Sequence, residues 1–166
     1  MKFFLGIRLP RELEDTCERY RRAFKAPQTV SHITVIAPFT WERTLEDLLE
    51  TLKMNLADTQ PFAVKGAGIG SFGTRVIFVN VTLTPELAAL QKALTAGLDK
   101  EGISVDRRSY NPHITLATRL SAKQFSVYAA KVRDFCPGYA FTCTSLSLFK
   151  FTDVGRWDEC HRILLG

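Results

Sequence analysis

The hydrophobic pattern of this chain predicts short β-strands that alternate with amphipathic helices. Stretches rich in β-branched and aromatic residues predict strands at about 2–9, 31–37, 62–70, 75–83, 113–118, 141–152 and 157–165. Apolar residues that recur every three or four positions predict helices at about 11–25, 45–56, 85–101 and 122–134. The mixture, without long runs of either element, indicates an α+β fold.

Local capping signals mark the predicted starts of three helices. Thr44 and Thr84 each precede a helical stripe, and Pro85 follows the second of them at the first helical position, where its missing N–H costs nothing. Ser121 and Gln124 have the spacing of a capping box. These signals do not depend on tertiary contacts, so we expect the starts to be accurate.

The order of predicted elements repeats, which indicates an ancient duplication. Phe62 in the first half has its counterpart in Phe141, 79 residues later. We predict a single domain, residues 1–166, built from two repeat units at about 1–74 and 75–166 that exchange strands. The expected architecture is bilobal, with two pseudo-symmetric lobes of antiparallel β-sheet, helices on the outside and a central cleft.

One short motif, His-Ile-Thr followed by an aliphatic residue, occurs once in each unit. The copies begin at His32 and His113, which are 81 residues apart and are two of the three histidines in the chain. Side chains at i and i+2 of a strand point to the same face, so His32 and Thr34 share one face, as do His113 and Thr115. Either motif alone fits a hydrogen-bonded structural histidine. The symmetric pair favours an acid/base device suited to a phosphodiester.

Composition adds a weak indication of the partner and of the compartment. The formal net charge of the 166 residues is +5, which favours an anionic partner such as nucleic acid or a nucleotide. No stretch approaches the roughly 18 apolar residues of a membrane span, and the apolar start of the chain is interrupted by Arg8. We therefore predict a first strand, no membrane association and a cytoplasmic location.

The cysteines are expected to be reduced and structural. None of Cys17, Cys136, Cys143 and Cys160 forms a Cys-x-x-Cys pair, and a chain of this size with a good apolar core needs no disulfides. A zinc hydrolase that uses Cys160, His161 and another histidine is an alternative, although the spacing fits no standard zinc pattern. The sequence predicts neither a metal nor a cofactor.

The paired motifs resemble those of the 2H phosphoesterase superfamily, which has two His-φ-Thr/Ser-φ motifs (φ, an apolar residue) on symmetric lobes. Within it, the segments 3–10, 74–78 and 112–116 are similar to the RNA 2′,3′-cyclic phosphodiesterases, also called the 2′-5′ RNA ligase family. The resemblance covers essentially the whole chain, and the two His-containing motifs are its specific part.

This resemblance implies metal-independent hydrolysis of 2′,3′-cyclic phosphate ends of RNA, or of small cyclic nucleotides, to a 2′-phosphate, with weak reverse 2′-5′ ligation. One of His32 and His113 would act as base and the other as acid, and the sequence leaves the assignment open. Thr34 and Thr115 would donate hydrogen bonds to the non-bridging oxygens as charge develops there.

Three further residues are candidates for substrate binding, each with a plainer alternative. Arg119 could contact a phosphate or be a solvated charge. Tyr110 and Phe39 flank the motifs and could stack on a base, or serve only in packing. The alternative function is a non-catalytic basic RNA-binding module on the same fold. No feature of the sequence indicates an oligomer, so we predict a monomer.

Overall fold

The computed structural model describes residues 1–26, 29–135 and 138–166. The helices of the described residues are α1 Arg11–Ala23, α2 Leu45–Asn55, α3 Pro85–Lys100 and α4 Ala122–Lys131. The strands are β1 Lys2–Arg8, β2 His32–Thr40, β3 Phe62–Ala67, β4 Ile69–Phe72, β5 Val76–Asn80, β6 His113–Ala117, β7 Gly138–Cys143, β8 Ser145–Phe151 and β9 Trp157–Leu164.

The strands form a large and a small antiparallel sheet. The large sheet has seven strands in the order β4-β5-β6-β2-β1-β8-β9, and the small one pairs β3 with β7. The predicted α+β class with antiparallel sheets is therefore confirmed. β2 and β6, which carry the two motifs, are neighbours in the middle of the large sheet and are paired through Ile33 and Ile114, so the sheets of the two predicted units are continuous.

Strand pairing crosses between the predicted repeat units on both sides of this centre. β4, from the first unit, pairs with β5 of the second, and β8, from the second unit, pairs with β1 of the first. The strand order outward from the centre is then β2, β1, β8, β9 on one side and β6, β5, β4 on the other. The division into two duplicated, strand-exchanging units stays a prediction.

Two segments predicted as single strands are each two strands. The chain leaves β3 of the small sheet and enters β4 of the large sheet at Gly68, whose φ of +80° suits glycine. It leaves β7 and enters β8 at Thr144 in the same manner. Both halves of each segment keep a strand-like pattern, so the pattern could not reveal that the partner strand changes. The strand predicted at 75–83 ends earlier, at Asn80.

The two faces of the large sheet differ in what covers them. One face is part of the hydrophobic core, with every second residue of the central strands buried: Phe3, Leu5, Ile7, Ile33, Val35, Ile77, Val79, Ile114, Leu116, Leu146 and Leu148. The predicted stripe of α3 is buried in the same core. The alternate residues of these strands, including both motif histidines, lie on the opposite face.

The predicted helix starts are confirmed by cap hydrogen bonds. The Thr44 hydroxyl accepts from the backbone N–H of Asp47 at 3.1 Å, and the Thr84 hydroxyl accepts from that of Leu87 at 3.2 Å. Ser121 and Gln124 form the complete capping box. Within the described residues, no helix has the length and apolarity to cross a membrane.

Candidate active site

The four motif side chains meet on the open face of the large sheet. Ile33 of β2 lies directly opposite Ile114 of β6 in an antiparallel pair. In an antiparallel pair the neighbouring positions are then also opposite each other, so His32 faces Thr115 and Thr34 faces His113. These four side chains lie on one face of the sheet, and opposite Cβ atoms are about 5 Å apart. The structure thus brings together the four side chains that the sequence predicts as catalytic.

Each histidine is held by the carbonyl two residues before it. Nδ1 of His32 lies 2.7 Å from the carbonyl oxygen of Val30, and Nδ1 of His113 lies 2.8 Å from that of Asn111. A carbonyl oxygen only accepts hydrogen bonds, so both Nδ1 atoms carry a proton. Nε2 is therefore the atom left for chemistry on each ring. Nε2 of His32 lies 3.1 Å from the Thr34 hydroxyl oxygen.

The surroundings of the two histidines are unequal. The Nδ1 hydrogen bond of His32 is partly buried, whereas that of His113 is exposed. Burial lowers the pKa of His32 to about 4, against the opposing effect of the Val30 carbonyl, and the electrostatic effects of Arg21 and His113 lower this pKa further. His32 is therefore neutral at pH 7 in the free protein.

The low pKa of His32 predicts a loss of stability in acid. The unfolded chain binds a proton at this residue near pH 6.5 and the folded chain only near pH 4, so unfolding becomes more favourable as the pH falls through this window. We expect the contribution of His32 to fall by about 3 kcal/mol between pH 7 and pH 4. Below the lower value both states bind the proton, and the loss is complete.

Urea unfolding of the wild-type protein and of His32→Gln, from pH 7.5 to 3.5, measures this effect. As the pH falls, the free energy of unfolding should decrease more for the wild-type protein than for the variant. Carboxylates that titrate in this pH range are common to both proteins, so their effect on the free energy of unfolding cancels in the comparison. Parallel pH profiles for the two proteins would contradict the prediction.

Aromatic rings enclose His32. Its ring centroid lies 4.8 Å from that of Phe4 and 5.6 Å from that of Phe149, which stack on each other at 4.6 Å. Gly6 provides the remaining space, because a Cβ there would lie 3.4 Å from Cδ2 of His32 and 3.1 Å from the Ile33 carbonyl oxygen. These neighbours explain the desolvation of the imidazole.

A corresponding aromatic pair lies beside His113. The ring of Phe72 meets it edge-on at 4.9 Å, the ring of Phe78 lies 5.2 Å away, and the two phenylalanines are 4.4 Å apart. Phe72 is 40% exposed, so this enclosure is more open to solvent than the one around His32. The two halves of the site are thus alike in composition and different in burial.

A buried cation, Arg21, connects α1 to strand β6 and to the segment that precedes β2. Its guanidinium donates to the Thr115 carbonyl oxygen at 2.7 Å and to the Thr29 carbonyl oxygen at 2.8 Å, and it lies 3.5 Å from the Glu18 carboxylate. That carboxylate accepts from both the backbone N–H and the hydroxyl of Ser31, each at 2.6 Å. Arg21 and Glu18 therefore fix the backbone next to His32 and Thr115.

Sequence reasoning missed Arg21 and Glu18 as site residues, although one signal was present. The inward stripe of α1 includes Cys17, which is fully buried, and Arg21 lies four residues further along the same face. A charged residue on a buried face implies a polar partner in the interior. The sequence does not indicate that this partner lies on β6.

The three candidates for substrate binding have different outcomes. Phe39 is wrong as a stacking residue: it is 4% exposed and its ring packs 6.2 Å from that of Phe3, because it falls on the core face of β2. Tyr110 lies at the site, where its hydroxyl donates to the Thr34 carbonyl oxygen at 2.8 Å. Arg119 is exposed, just beyond the end of β6, with φ of +54°. For Tyr110 and Arg119 a contact with substrate stays a prediction.

The residues of the zinc alternative do not form a ligand group within the part of the chain that is described. No three His, Cys, Asp or Glu side chains of those residues are grouped to hold a metal ion. Cys17 and Cys143 are buried, and Cys160 is exposed on β9. Cys136 lies outside the described residues.

The chain is similar to a curated protein and to several solved structures. A curated Bacillus cereus protein (strain ATCC 10987 / NRS 248) named "Putative phosphoesterase" is 29% identical over 141 residues, which cover 81% of this chain and 78% of that protein. The solved structure of TT0787 from Thermus thermophilus aligns with a TM-score of 0.69 at 20% identity and covers 99% of this chain and 98% of its own.

The structure of LigT from Escherichia coli, complexed with 3′-AMP, aligns with a TM-score of 0.65 at 18% identity, and it covers 99% of this chain and 97% of its own. At such identities the solved structures establish a shared fold only. The profile of the 2′-5′ RNA ligase superfamily matches residues 9–155, most of the chain and both His-Ile-Thr motifs. The chain therefore belongs to the 2′-5′ RNA ligase superfamily of phosphoesterases.

Proposed function

We propose that this protein is a phosphodiesterase that hydrolyses 2′,3′-cyclic phosphate ends of RNA, or related cyclic nucleotides, to a 2′-phosphate without needing a metal. The observation that carries the proposal is the pair of histidines whose Nδ1 atoms are both held by backbone carbonyls, which leaves two Nε2 atoms on one sheet face. Family membership supports phosphoesterase activity, and LigT structures with 3′-AMP and ATP support a nucleotide ligand.

The unequal burial of the histidines supports an assignment of their roles. His32, neutral because burial lowers its pKa, takes a proton from water at Nε2 while the water oxygen bonds to phosphorus. The bond from phosphorus to O3′ breaks, and protonated His113 gives its Nε2 proton to that leaving oxygen. The anionic phosphate beside its ring raises the pKa of His32 in the complex, so His32 becomes a stronger base when substrate is bound.

The two threonines complete the proposed mechanism. The Thr34 and Thr115 side chains share the face of the two imidazoles, and their hydroxyls donate to the non-bridging oxygens, which gain charge in the transition state. If the 5′-hydroxyl of a second RNA replaces water, the same proton transfers form a 2′-5′ linkage, because O3′ is still the leaving group. Weak ligation is therefore part of the proposal.

Hydrolysis of 2′,3′-cyclic AMP by the purified protein in excess chelator, from pH 5 to 9, tests this proposal. We expect a bell-shaped rate profile, because one histidine must be neutral and the other protonated, and nucleoside 2′-phosphate as the product. A 3′-phosphate product would contradict the assigned leaving group, and loss of activity in chelator would indicate a metal. Binding of an RNA end without turnover would favour the non-catalytic module.

A further inference from the structure

A cavity of about 650 Å³ opens beside His32, between the C-terminal half of α1 and the β8–β9 hairpin. We call it the β9 cavity. Five basic side chains line it, namely those of Arg8, Arg21, Arg22, Lys25 and Arg156, together with the acidic side chains of Glu18, Asp158 and Glu159. Val30, whose carbonyl holds His32, also lies on its wall, so the β9 cavity borders the active site.

The positive charge of the β9 cavity is only partly neutralised. Each of its three carboxylates has a basic partner, in the pairs Arg8–Glu159 at 2.8 Å, Arg21–Glu18 at 3.5 Å and Arg156–Asp158 at 3.9 Å. Arg22 and Lys25 form no ion pair with any residue in the described ranges, and both are exposed. Two cations are therefore available to an anionic ligand.

An aromatic wall connects the β9 cavity to the catalytic pair. Trp157 and Phe149 line the cavity. The ring of Trp157 meets that of Phe4 edge-on at 5.0 Å, and Phe4 in turn lies 4.8 Å from the His32 ring. The indole is thus two ring contacts away from the catalytic imidazole and is half-buried. Aromatic side chains beside basic ones are the usual means of holding single-stranded nucleic acid.

We propose that the β9 cavity binds the nucleotide on the 5′ side of the reacting end, with its phosphate on Arg22 and Lys25 and its base against Trp157. The inference rests on the proposed function, because a 2′,3′-cyclic phosphate ends an RNA chain and the chain continues only in the 5′ direction. It goes further by assigning substrate length: RNA ends are preferred to cyclic mononucleotides. One stacked base and one phosphate contact predict a preference of about 10- to 100-fold in kcat/KM.

The test compares 2′,3′-cyclic AMP with the adenylyl dinucleotide that carries the same cyclic end. In the wild-type protein kcat/KM should be at least about tenfold higher for the dinucleotide. In Trp157→Leu, and in the double variant Arg22→Gln/Lys25→Gln, the ratio of the two values should fall towards one. Lys53→Gln/Lys92→Gln removes the same charge from exposed positions on α2 and α3 and should keep the wild-type ratio. Thermal melts confirm that each variant is folded.

The outcomes separate this inference from the function on which it rests. Equal kcat/KM for both substrates, or an unchanged ratio in the variants, overturns the β9 subsite and leaves the phosphodiesterase intact. Absence of turnover of both substrates contradicts the proposed function. The subsite is then tested by fluorescence anisotropy with labelled adenylyl dinucleotide 2′-phosphate, which must bind the wild-type protein at least about tenfold more tightly than the double variant.

Discussion

Replacing His113 by alanine should lower kcat for 2′,3′-cyclic AMP by about 10³-fold. O3′ is a poor leaving group without a proton, and His113 is the group that supplies one in the proposed mechanism. His32→Ala should have an effect of the same size, because water then lacks its base. The two losses should not add in the double variant, since the histidines act as a unit on one transition state.

The pH profile distinguishes a catalytic histidine from a merely structural one. Each single variant should lose the limb of the bell that the missing histidine produces, so the profile becomes one-sided. His161→Ala is the matched control: this third histidine lies on β9, paired with Leu148, outside both motifs. We expect it to keep wild-type kcat within about twofold. If His32→Ala or His113→Ala kept residual activity with a bell-shaped pH profile, that result would contradict the catalytic role assigned to the histidine.

Replacing Arg21 by methionine should lower the free energy of unfolding by about 4 kcal/mol. Its side chain is 5% exposed, so the Thr115 and Thr29 carbonyls and the Glu18 carboxylate would lose a charged donor in the interior. Methionine keeps the apolar stem of the side chain as far as the position of Nε and removes the guanidinium head. The loss therefore reports on the contacts that the guanidinium makes.

Urea unfolding at pH 7 measures this loss, and two variants accompany it. Arg19→Met removes an exposed arginine from the same helix, where its guanidinium contacts only Thr16 among the described contacts, and should cost less than about 0.5 kcal/mol. Arg21→Lys keeps the charge but not the two-armed geometry and should recover part of the stability. Equal effects of Arg21→Met and Arg19→Met would show that the buried bridge contributes nothing.

Much of the fold follows from local pattern, and the failures have a common cause. Helix stripes and caps depend on residues within one or two turns, so the start of α2 at Thr44 was predictable. The change of sheet at Gly68 was not, because it depends on which strand lies alongside. Phe39 is a different case: it lies five residues after Thr34, so the two-residue period of a strand already places it on the opposite, core face, where its ring is buried.

The sequence predicted the four side chains of the site but not the residues that surround them. His32 with Thr34, and His113 with Thr115, follow from the two-residue period of a strand, which is a property of the backbone alone. The opposition of Ile33 and Ile114, which unites the two pairs, is a contact across 81 residues of sequence. The position of Trp157 beside Phe4 likewise depends on the pairing of β8 with β1, which no local pattern reveals.

The sequence by itself determined the chemistry available to this protein: two identical motifs, each with an imidazole and a hydroxyl on one strand face. Because the motifs are identical, no local rule can make one histidine differ from the other. The tertiary structure decides that difference by enclosing His32 between Phe4 and Phe149 and by leaving the ring beside Phe72 more open. Desolvation disfavours the charged imidazole, so burial, a property of the folded chain, makes His32 the neutral partner.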